Sequence, residues 1–209
     1  MLEIQTFPLG SLQTNCYVVH SDKDAVVVDP GGDPGVVLDW LQEKGLTLTH
    51  ILCTHLHFDH TYGVGAIHKA TGASVYASSE DEFLLQKPDG KGGLWGCPIV
   101  PEYSYTPLQA GPLAILETTC QVLATPGHTP GGLSFYFREI CSVLVGDVLF
   151  YRSVGRTDLD GGNQDILMRS IGGKLMNLPD TTIVYPGHSM TTTIGDERLN
   201  NPFVGEFVA

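Results

Sequence analysis

The sequence predicts a mixed α/β chain, and three observations carry that expectation. Short β-rich runs alternate with helical runs through the N-terminal part. A meander of consecutive strands follows, and a helix, a strand and a last helix finish the chain. This order fits two sheets packed face to face with helices outside them. The length, 209 residues, suits a single domain over 1–209 and is enough to bury a substantial core.

The first clear strands are "NCYVVH" and "AVVVDPGG", both apolar and β-branched, the second stopped by a Pro-Gly-Gly turn. "DPGVVLDWLQEK", Asp33 to Lys44, reads as a helix. Asp33 can cap it, Pro34 suits its first position and Gly45 can close it. "THILCT" is then a buried strand, His60 to Thr71 a helix that follows directly, and "ASVYAS" another strand. From Gln86 to Gly111 the texture turns to Gly and Pro with Trp95, Tyr103 and Tyr105. This reads as an irregular excursion and not a linker, because strands resume after it. Those strands are "PLAILETT", "CQVLATPG", "LSFYFRE" and "CSVLVGD". A helix near Gln164 to Met176, a strand "TTIVYPG" and a helix from about Thr193 complete the order.

Composition narrows the function. Apolar residues make up 42% and charged residues 16%, which describes a folded, water-soluble chain. The formal net charge of -12, from 23 acids against 11 bases, argues against nucleic acid and against an anionic membrane surface, since both need basic residues. No apolar run approaches the roughly 18 residues of a membrane span. The start, "MLEIQTFPLG", lacks the basic flank and apolar stretch of a signal peptide, so a cytoplasmic protein is expected. The five cysteines form no CxxC pair and mostly sit among apolar residues, which reads as buried small hydrophobes in a reducing compartment.

The densest chemistry is in "THLHFDH", Thr54 to His60. His55 and His57 are two apart. In an extended segment they point to one side, whereas on a helix they would be about 200° apart. Both can therefore aim at one ion from a strand end, while Asp59 and His60, at the start of the next helix, turn to a neighbouring position. Local geometry makes it hard for all four to reach one ion, so two adjacent ions are inferred. Their remaining ligands must come from elsewhere. His128 in "TPGHTPGG", Asp147 in "SVLVGDVLF" and His188 in "TIVYPGHSM" are candidates, each at a strand end behind a glycine that allows close backbone approach. Each alone could be an ordinary turn or cap residue; the full series in order is hard to explain that way. His20, His50 and His68 fall outside the pattern, and Cys53 and Asp29 are read as structural.

The series "THLHFDH", "TPGHTPG", "GD" and "PGH" resembles the metallo-β-lactamase superfamily across essentially the whole chain. The resemblance implies an αββα four-layer sandwich. It implies that His55, His57 and His128 hold one metal, that Asp59, His60 and His188 hold a second, and that Asp147 bridges both. Asp59 and Asp147 are then the carboxylates of the catalytic centre. All seven donors are nitrogen or oxygen, which suits two divalent ions, Zn²⁺ first and Fe or Mn compatible. Two such ions sharing a hydroxide would lower the pKa of water from 15.7 toward about 7 and stabilise an oxyanion. Hydrolysis of an ester, thioester or amide follows, and no GxSxG elbow suggests a serine route.

"GRTDLDGGN", Gly155 to Asn163, and "TTIGDERLNNPF" are similar to the glyoxalase II-like branch, the hydroxyacylglutathione hydrolase-like enzymes, which act on thioesters such as S-lactoylglutathione. A small-molecule acyl-thioester substrate is thus implied, with Arg156 near the place of a basic residue against the glycine carboxylate of glutathione. The chain ends at Ala209, about one helix beyond His188, and departs there from the C-terminal helical extension that grips glutathione in that branch. A substitute grip is expected from Arg152, Arg156, the Gln86–Gly111 excursion or a partner subunit. The alternative from another class is a mononuclear iron persulfide dioxygenase using His55, His128 and Asp147. A non-catalytic binding module is disfavoured by the intact ligand set, an exported β-lactamase by the N-terminus, and an RNA nuclease by charge.

Overall fold

A computed structural model describes residues 1–93 and 96–205. Trp95 of the excursion lies outside the described residues. The chain forms two compact units, one of Met1–Leu108 with Ala114–Thr119, the other of Gln109–Leu113 with the chain from Cys120 onward.

The first unit is built on one six-stranded sheet whose spatial order follows the chain: β1 (Glu3–Leu9), β2 (Thr14–His20), β3 (Asp24–Val28), β4 (Thr47–Leu52), β5 (Ser74–Ala77) and β6 (Thr106–Pro107). β1, β2 and β3 pair antiparallel, and β3 through β6 pair parallel. The switch follows from the connections. Short turns join the antiparallel strands, whereas a parallel pair needs a crossover. Helix α1 (Gly35–Lys44) supplies the crossover from β3 to β4. Asp33 Oδ1 accepts the Gly35 N–H at 3.0 Å, and Gly45 closes the helix at φ +67°. Val18, Val27, Ile51 and Val75 are buried in a core with Val37, Leu41 and Ile67 from the helices. β1 is a strand that the sequence pattern left unassigned.

The helix expected over His60 to Thr71 is two helices, α2 (Phe58–Thr61) and α3 (Val64–Thr71), separated at Tyr62 and Gly63. The cause is the Pro-Gly-Gly turn after β3. Gly63 donates its N–H to Pro30 O at 2.7 Å, and an added Cβ at Gly63 would stand 2.6 Å from Gly32 O. Backbone packs on backbone there, and an uninterrupted helix would not fit. The excursion is more ordered than its composition suggests. A 3₁₀ helix over Ser79–Gln86, capped by Ser78, leads into it, and it carries helix α4 (Pro88–Lys91).

The second unit, which takes only part of β7 (Gly111–Ile115) and of β8 (Thr118–Ala124), continues with β9 (Leu133–Phe137), β10 (Ser142–Gly146), the small hairpin of β11 (Leu149–Phe150) and β12 (Ser153–Val154), α5 (Gln164–Gly173), β13 (Ile183–Pro186), β14 (Thr192–Thr193) and α6 (Ile194–Asn200). Its main sheet runs β14-β13-β10-β9-β8-β7. The meander β7 to β10 matches the predicted strands. β10 and β13 are parallel, with α5 in the crossover between them. α5 ends sooner than expected, and a 3₁₀ turn at Leu175–Asn177 follows it. Thr193 caps α6 by accepting the Asp196 N–H at 3.1 Å. Leu167, Ile171, Val143, Val184 and Ile194 fill the core of this unit.

Candidate metal centre

The first group of ligand-type residues leaves the C-terminal ends of the parallel strands β3 and β4. Their ladder continues past the strands, with Asp29 N–H on Leu52 O at 3.1 Å and Cys53 N–H on Tyr76 O at 2.9 Å. The "THLHFDH" loop therefore starts from fixed backbone. His57 is extended, at φ -71° and ψ 148°, and is the cap residue of α2, which places Asp59 and His60 in the first turn of that helix. His55, His57 and His60 are buried. The His55 ring lies 4.7 Å from that of His57 and 4.1 Å from that of His60, centroid to centroid. Asp59 Oδ2 accepts from Thr14 Oγ1 at 3.1 Å and lies 3.6 Å from His60 Nε2.

Asp29 organises this group, although the sequence reading left it structural. It is buried at the end of β3 in a left-handed backbone conformation, φ +52°. Its Oδ1 accepts the Thr54 N–H at 2.7 Å. Its Oδ2 accepts the Thr54 hydroxyl at 2.6 Å and faces His60 Nδ1 at 2.9 Å. An ionised carboxylate only accepts, so His60 carries its proton on Nδ1 and presents a lone pair at Nε2. The same logic passes through Thr54. Its hydroxyl proton is committed to Asp29, so the 2.9 Å contact between Thr54 Oγ1 and His55 Nδ1 has the imidazole donating. One carboxylate thus sets the tautomers of two histidines, the usual way a protein aims imidazole ligands. Ligand-type atoms of Asp29, His55 and His60 lie within 4.8 Å of one another, but the Asp29 oxygens are engaged on the Nδ1 side of the rings. A second carboxylate, Asp81, fully buried in the 3₁₀ helix, accepts the N–H of Leu56 at 3.3 Å and so fixes the backbone between His55 and His57. The signal for Asp29 was its place at a strand end before Pro-Gly-Gly. Asp81 had no local signal.

Cys53 sits beside this group. Burial, and after it the charge of Asp29, pushes its thiol well above the ordinary range. It is a fully buried core residue, in keeping with the structural role the sequence reading gave it.

The second group lies in the second unit. Asp147 follows β10, His128 occupies the turn after β8, and His188 follows β13. Asp147 Oδ2 is 3.7 Å from His128 Nε2 and 3.6 Å from His188 Nε2. These separations are longer than a hydrogen bond. They are close to the roughly 3.4 Å that separates two ligands of one tetrahedral ion when each bond is about 2.1 Å. The 3.6 Å between Asp59 and His60 fits the same spacing. His128 Nδ1 donates to the carbonyl of Arg156 at 2.7 Å, and a carbonyl only accepts, so Nε2 again faces away with its lone pair. An added Cβ at Gly155 would stand 1.9 Å from Asp147 O, so the loop that carries Arg156 can pass this close only with glycine there. Nitrogen and oxygen donors, imidazoles aimed through Nδ1 partners and ligand-like spacings fit divalent metal ions.

The arginines are engaged. Arg156 contributes its carbonyl, while its exposed guanidinium pairs bidentately with Asp158, Nε to Oδ1 at 2.7 Å and Nη2 to Oδ2 at 2.8 Å. Hydrogen bonding from Arg156 draws the Asp158 carboxyl down to about 2. Arg152 belongs to the scaffold. Its Nη1 pairs with the buried Glu197 at 2.7 Å and its Nη2 with Asp196 at 2.9 Å. Glu197 also accepts from Thr192 and Asn201, so this carboxylate ties α6 to the β11–β12 turn.

A family model described as "Metallo-beta-lactamase superfamily" matches residues 9–188. Among curated relatives, the "Probable metallo-hydrolase YqgX" of Bacillus subtilis is 37% identical over 203 residues, covering 96% of each chain. The "Hydroxyacylglutathione hydrolase GloC" of Haemophilus influenzae is 33% identical over 210 residues, covering 97% of this chain and 98% of that one. Among solved structures, BLEG-1 B3 metallo-beta-lactamase superposes with a TM-score of 0.91 at 41% identity, over 97% of this chain and 99% of that one. TTHA1623 in a di-iron-bound form gives 0.87 at 39%, over 95% and 99%. ETHE1 from Myxococcus xanthus gives 0.77 at 30%, over 99% and 88%.

Proposed function

The chain belongs to the metallo-beta-lactamase superfamily, and from that premise we propose that it is a binuclear metal-dependent hydrolase of an acyl thioester, S-lactoylglutathione or a related acyl-thiol. On this reading the chain acts as one domain. His55, His57 and His128 hold one ion, Asp59, His60 and His188 the other, and Asp147 serves both. The observation that carries the reading is a single oxygen, Asp147 Oδ2, at 3.6 and 3.7 Å from the Nε2 atoms of two histidines that the reading assigns to different ions. The likeness to a hydroxyacylglutathione hydrolase supports the thioester.

When bound, the ions would supply a water acidified toward a pKa of about 7 and a Lewis acid for the carbonyl. The chain's own residues do the rest. Asp29 keeps the protons of His55 and His60 on Nδ1, and the Arg156 carbonyl does the same for His128. Asp59 is steadied by the Thr14 hydroxyl. Zn²⁺ suits the donors, and the di-iron form of TTHA1623 keeps iron beside it. Asp158 would compete with a carboxylate of the thiol carrier for the Arg156 guanidinium.

Two other readings each have one observation. Likeness to BLEG-1 favours a β-lactam substrate, and likeness to ETHE1 favours the mononuclear iron persulfide dioxygenase. One experiment separates all three. The protein is purified without added metal, its metal content is measured, and it is assayed on S-lactoylglutathione, on a chromogenic cephalosporin and for persulfide-dependent oxygen uptake. Two metal equivalents with thioester turnover is the expected result. Cephalosporin turnover alone, or one iron with oxygen uptake, would overturn the proposal in favour of the corresponding reading.

A further inference from the structure

A cleft of about 410 Å³ lies in the first unit, and none of the proposed metal ligands lines it. Its volume falls in the range of small-molecule sites, which begins at roughly 300 Å³. One wall is the end of the 3₁₀ helix with α4, and the other is the returning stretch Val100 to Ser104. Backbone contacts fix both walls. The Val100 N–H donates to Lys91 O at 2.9 Å, and Gly92 bridges to Ile99 just beyond. An added Cβ at Gly90 would stand 2.3 Å from Leu84 O, so α4 is pressed against the 3₁₀ helix. One at Gly65 would stand 3.4 Å from Glu102 O, so the returning stretch rests on α3. A ligand would find this cleft already formed, which spares it the cost of ordering the walls.

The lining divides by chemistry. Leu85 and Tyr103 pack against the core of the unit and, with Val100, give the cleft its apolar side. Lys91 and Glu102 bring one charge of each sign. Among the described residues neither of these two side chains enters an ion pair, with the other or with a third group. Arg152 and Arg156 differ, since both guanidiniums are already held by carboxylates. A simple anion would gain Lys91 but meet Glu102, and a simple cation would do the reverse. A ligand that carries both charges gains from both, and its apolar part has a wall to cover.

We propose that this cleft is a further binding site, for a small zwitterion of the α-amino acid class with a large apolar side chain. The carboxylate pairs with Lys91, the ammonium with Glu102, and the side chain lies on Leu85, Val100 and Tyr103. The site is separate from that of the proposed hydrolysis, and its ligand binds whether or not any thioester is turned over.

The test uses the zinc-loaded protein labelled at its leucine and valine methyl groups. It is titrated with L-phenylalanine, with L-phenylalaninamide in its protonated form, which lacks the carboxylate, and with hydrocinnamate, which lacks the ammonium. The ring of each probe displaces the NMR signals of the methyl groups it covers. L-phenylalanine should shift the Leu85 and Val100 methyls to saturation. Each analogue should bind about twofold to fivefold more weakly, which is the worth of an exposed ion pair. Lys91→Met should weaken L-phenylalanine and hydrocinnamate by a similar factor and leave the amide no weaker. Glu102→Gln should weaken L-phenylalanine and the amide and leave hydrocinnamate no weaker. Both side chains are exposed, so the melting temperature of each variant should be unchanged. L-phenylalanine that leaves Leu85 and Val100 unmoved, equal binding of all three probes, or a substitution that weakens every probe alike would overturn the site. Binding that neither substitution alters would place the amino acid on the metals instead and overturn it too.

Discussion

The two groups of proposed ligands are built differently. His55, His57, Asp59 and His60 occupy one loop of seven residues and are steadied largely by side chains. Asp29 sets the tautomers of two of them, Asp81 holds the backbone between two, and Thr14 steadies Asp59. His128, Asp147 and His188 come singly from three loops, and backbone holds much of their setting. The Arg156 carbonyl orients His128, and Gly155 lets its loop approach Asp147. The contrast has a physical reason. Ligands adjacent in sequence share one loop, so a few buried carboxylates can fix them all. Ligands scattered over a sheet take their positions from strand ends, and local backbone contacts suffice. Substitutions near the first group should therefore act through aiming and metal affinity. In the second group, the ligands themselves and the glycine that lets the loop pass Asp147 should matter most.

The sharpest test is Asp147→Ala. If Asp147 serves both ions, the variant loses a shared carboxylate between two cations. Metal analysis should show a fall from two equivalents to one or fewer, with thioester turnover lost. A variant that retains two equivalents and normal activity would remove the bridging role and much of the contrast.

Next in size comes Asp29→Ala, compared with Thr54→Val. Loss of an outer partner of metal ligands typically costs 10–100-fold in metal affinity. Asp29→Ala removes the support of both His55 and His60 and should reach the upper part of that range. Thr54→Val breaks only the relay to His55 and should give about tenfold. Competition against a chelator measures both. Equal effects would mean that the relay through Thr54 is the main path, and no effect from either would show that Asp29 is merely structural.

Arg156 gives a smaller effect with a defined pH signature. Its guanidinium holds the Asp158 carboxyl at about 2, against an ordinary value of 3.8. A depressed carboxylate stabilises the fold above its unfolded pKa and loses that contribution as pH falls through the folded value. The pair is therefore intact above about pH 4 and dissolves as pH drops toward about 2. In Arg156→Ala, carboxyl NMR should show Asp158 titrating near the ordinary value. Because Asp158 competes for the guanidinium, KM for an anionic thioester should rise by no more than about tenfold, with kcat little changed. Asp158→Asn should lower that KM. If KM ignores both substitutions, the carrier is gripped elsewhere.

The smallest effects belong to the histidines outside both groups. His20 packs edge-on against Trp40, His50 stacks on Tyr76, and His68 Nδ1 meets Ala73 O at 2.8 Å. Each replaced by alanine should leave metal content unchanged and cost about 1 kcal/mol in stability. A missing metal equivalent in a folded variant of any of them would break the ligand assignment.

The sequence by itself determined the strand meander, the helix ending at Lys44 with its Gly45 stop, though it begins at Gly35 and not at a capping Asp33, and the ligand candidates. These depend on short-range rules: alternation, capping, and the spacing that puts His55 and His57 on one side of an extended chain. The glycine before each scattered ligand was legible for the same reason. Tertiary structure alone decided what depends on partners distant in sequence. The break between α2 and α3 arises where Pro30 and Gly32 press on Gly63. Asp29 became an organiser because Thr54 and His60 arrive beside it, 25 and 31 residues along the chain. Arg152 became scaffold through Glu197, 45 residues away. Arg156 is the exception in range, since Asp158 is only two residues on, yet its pairing still needed the folded loop. Side-chain chemistry advertises a ligand to any reader of the sequence. What aims that ligand, or occupies a charge, is set by which distant atoms the fold brings within about 3 Å.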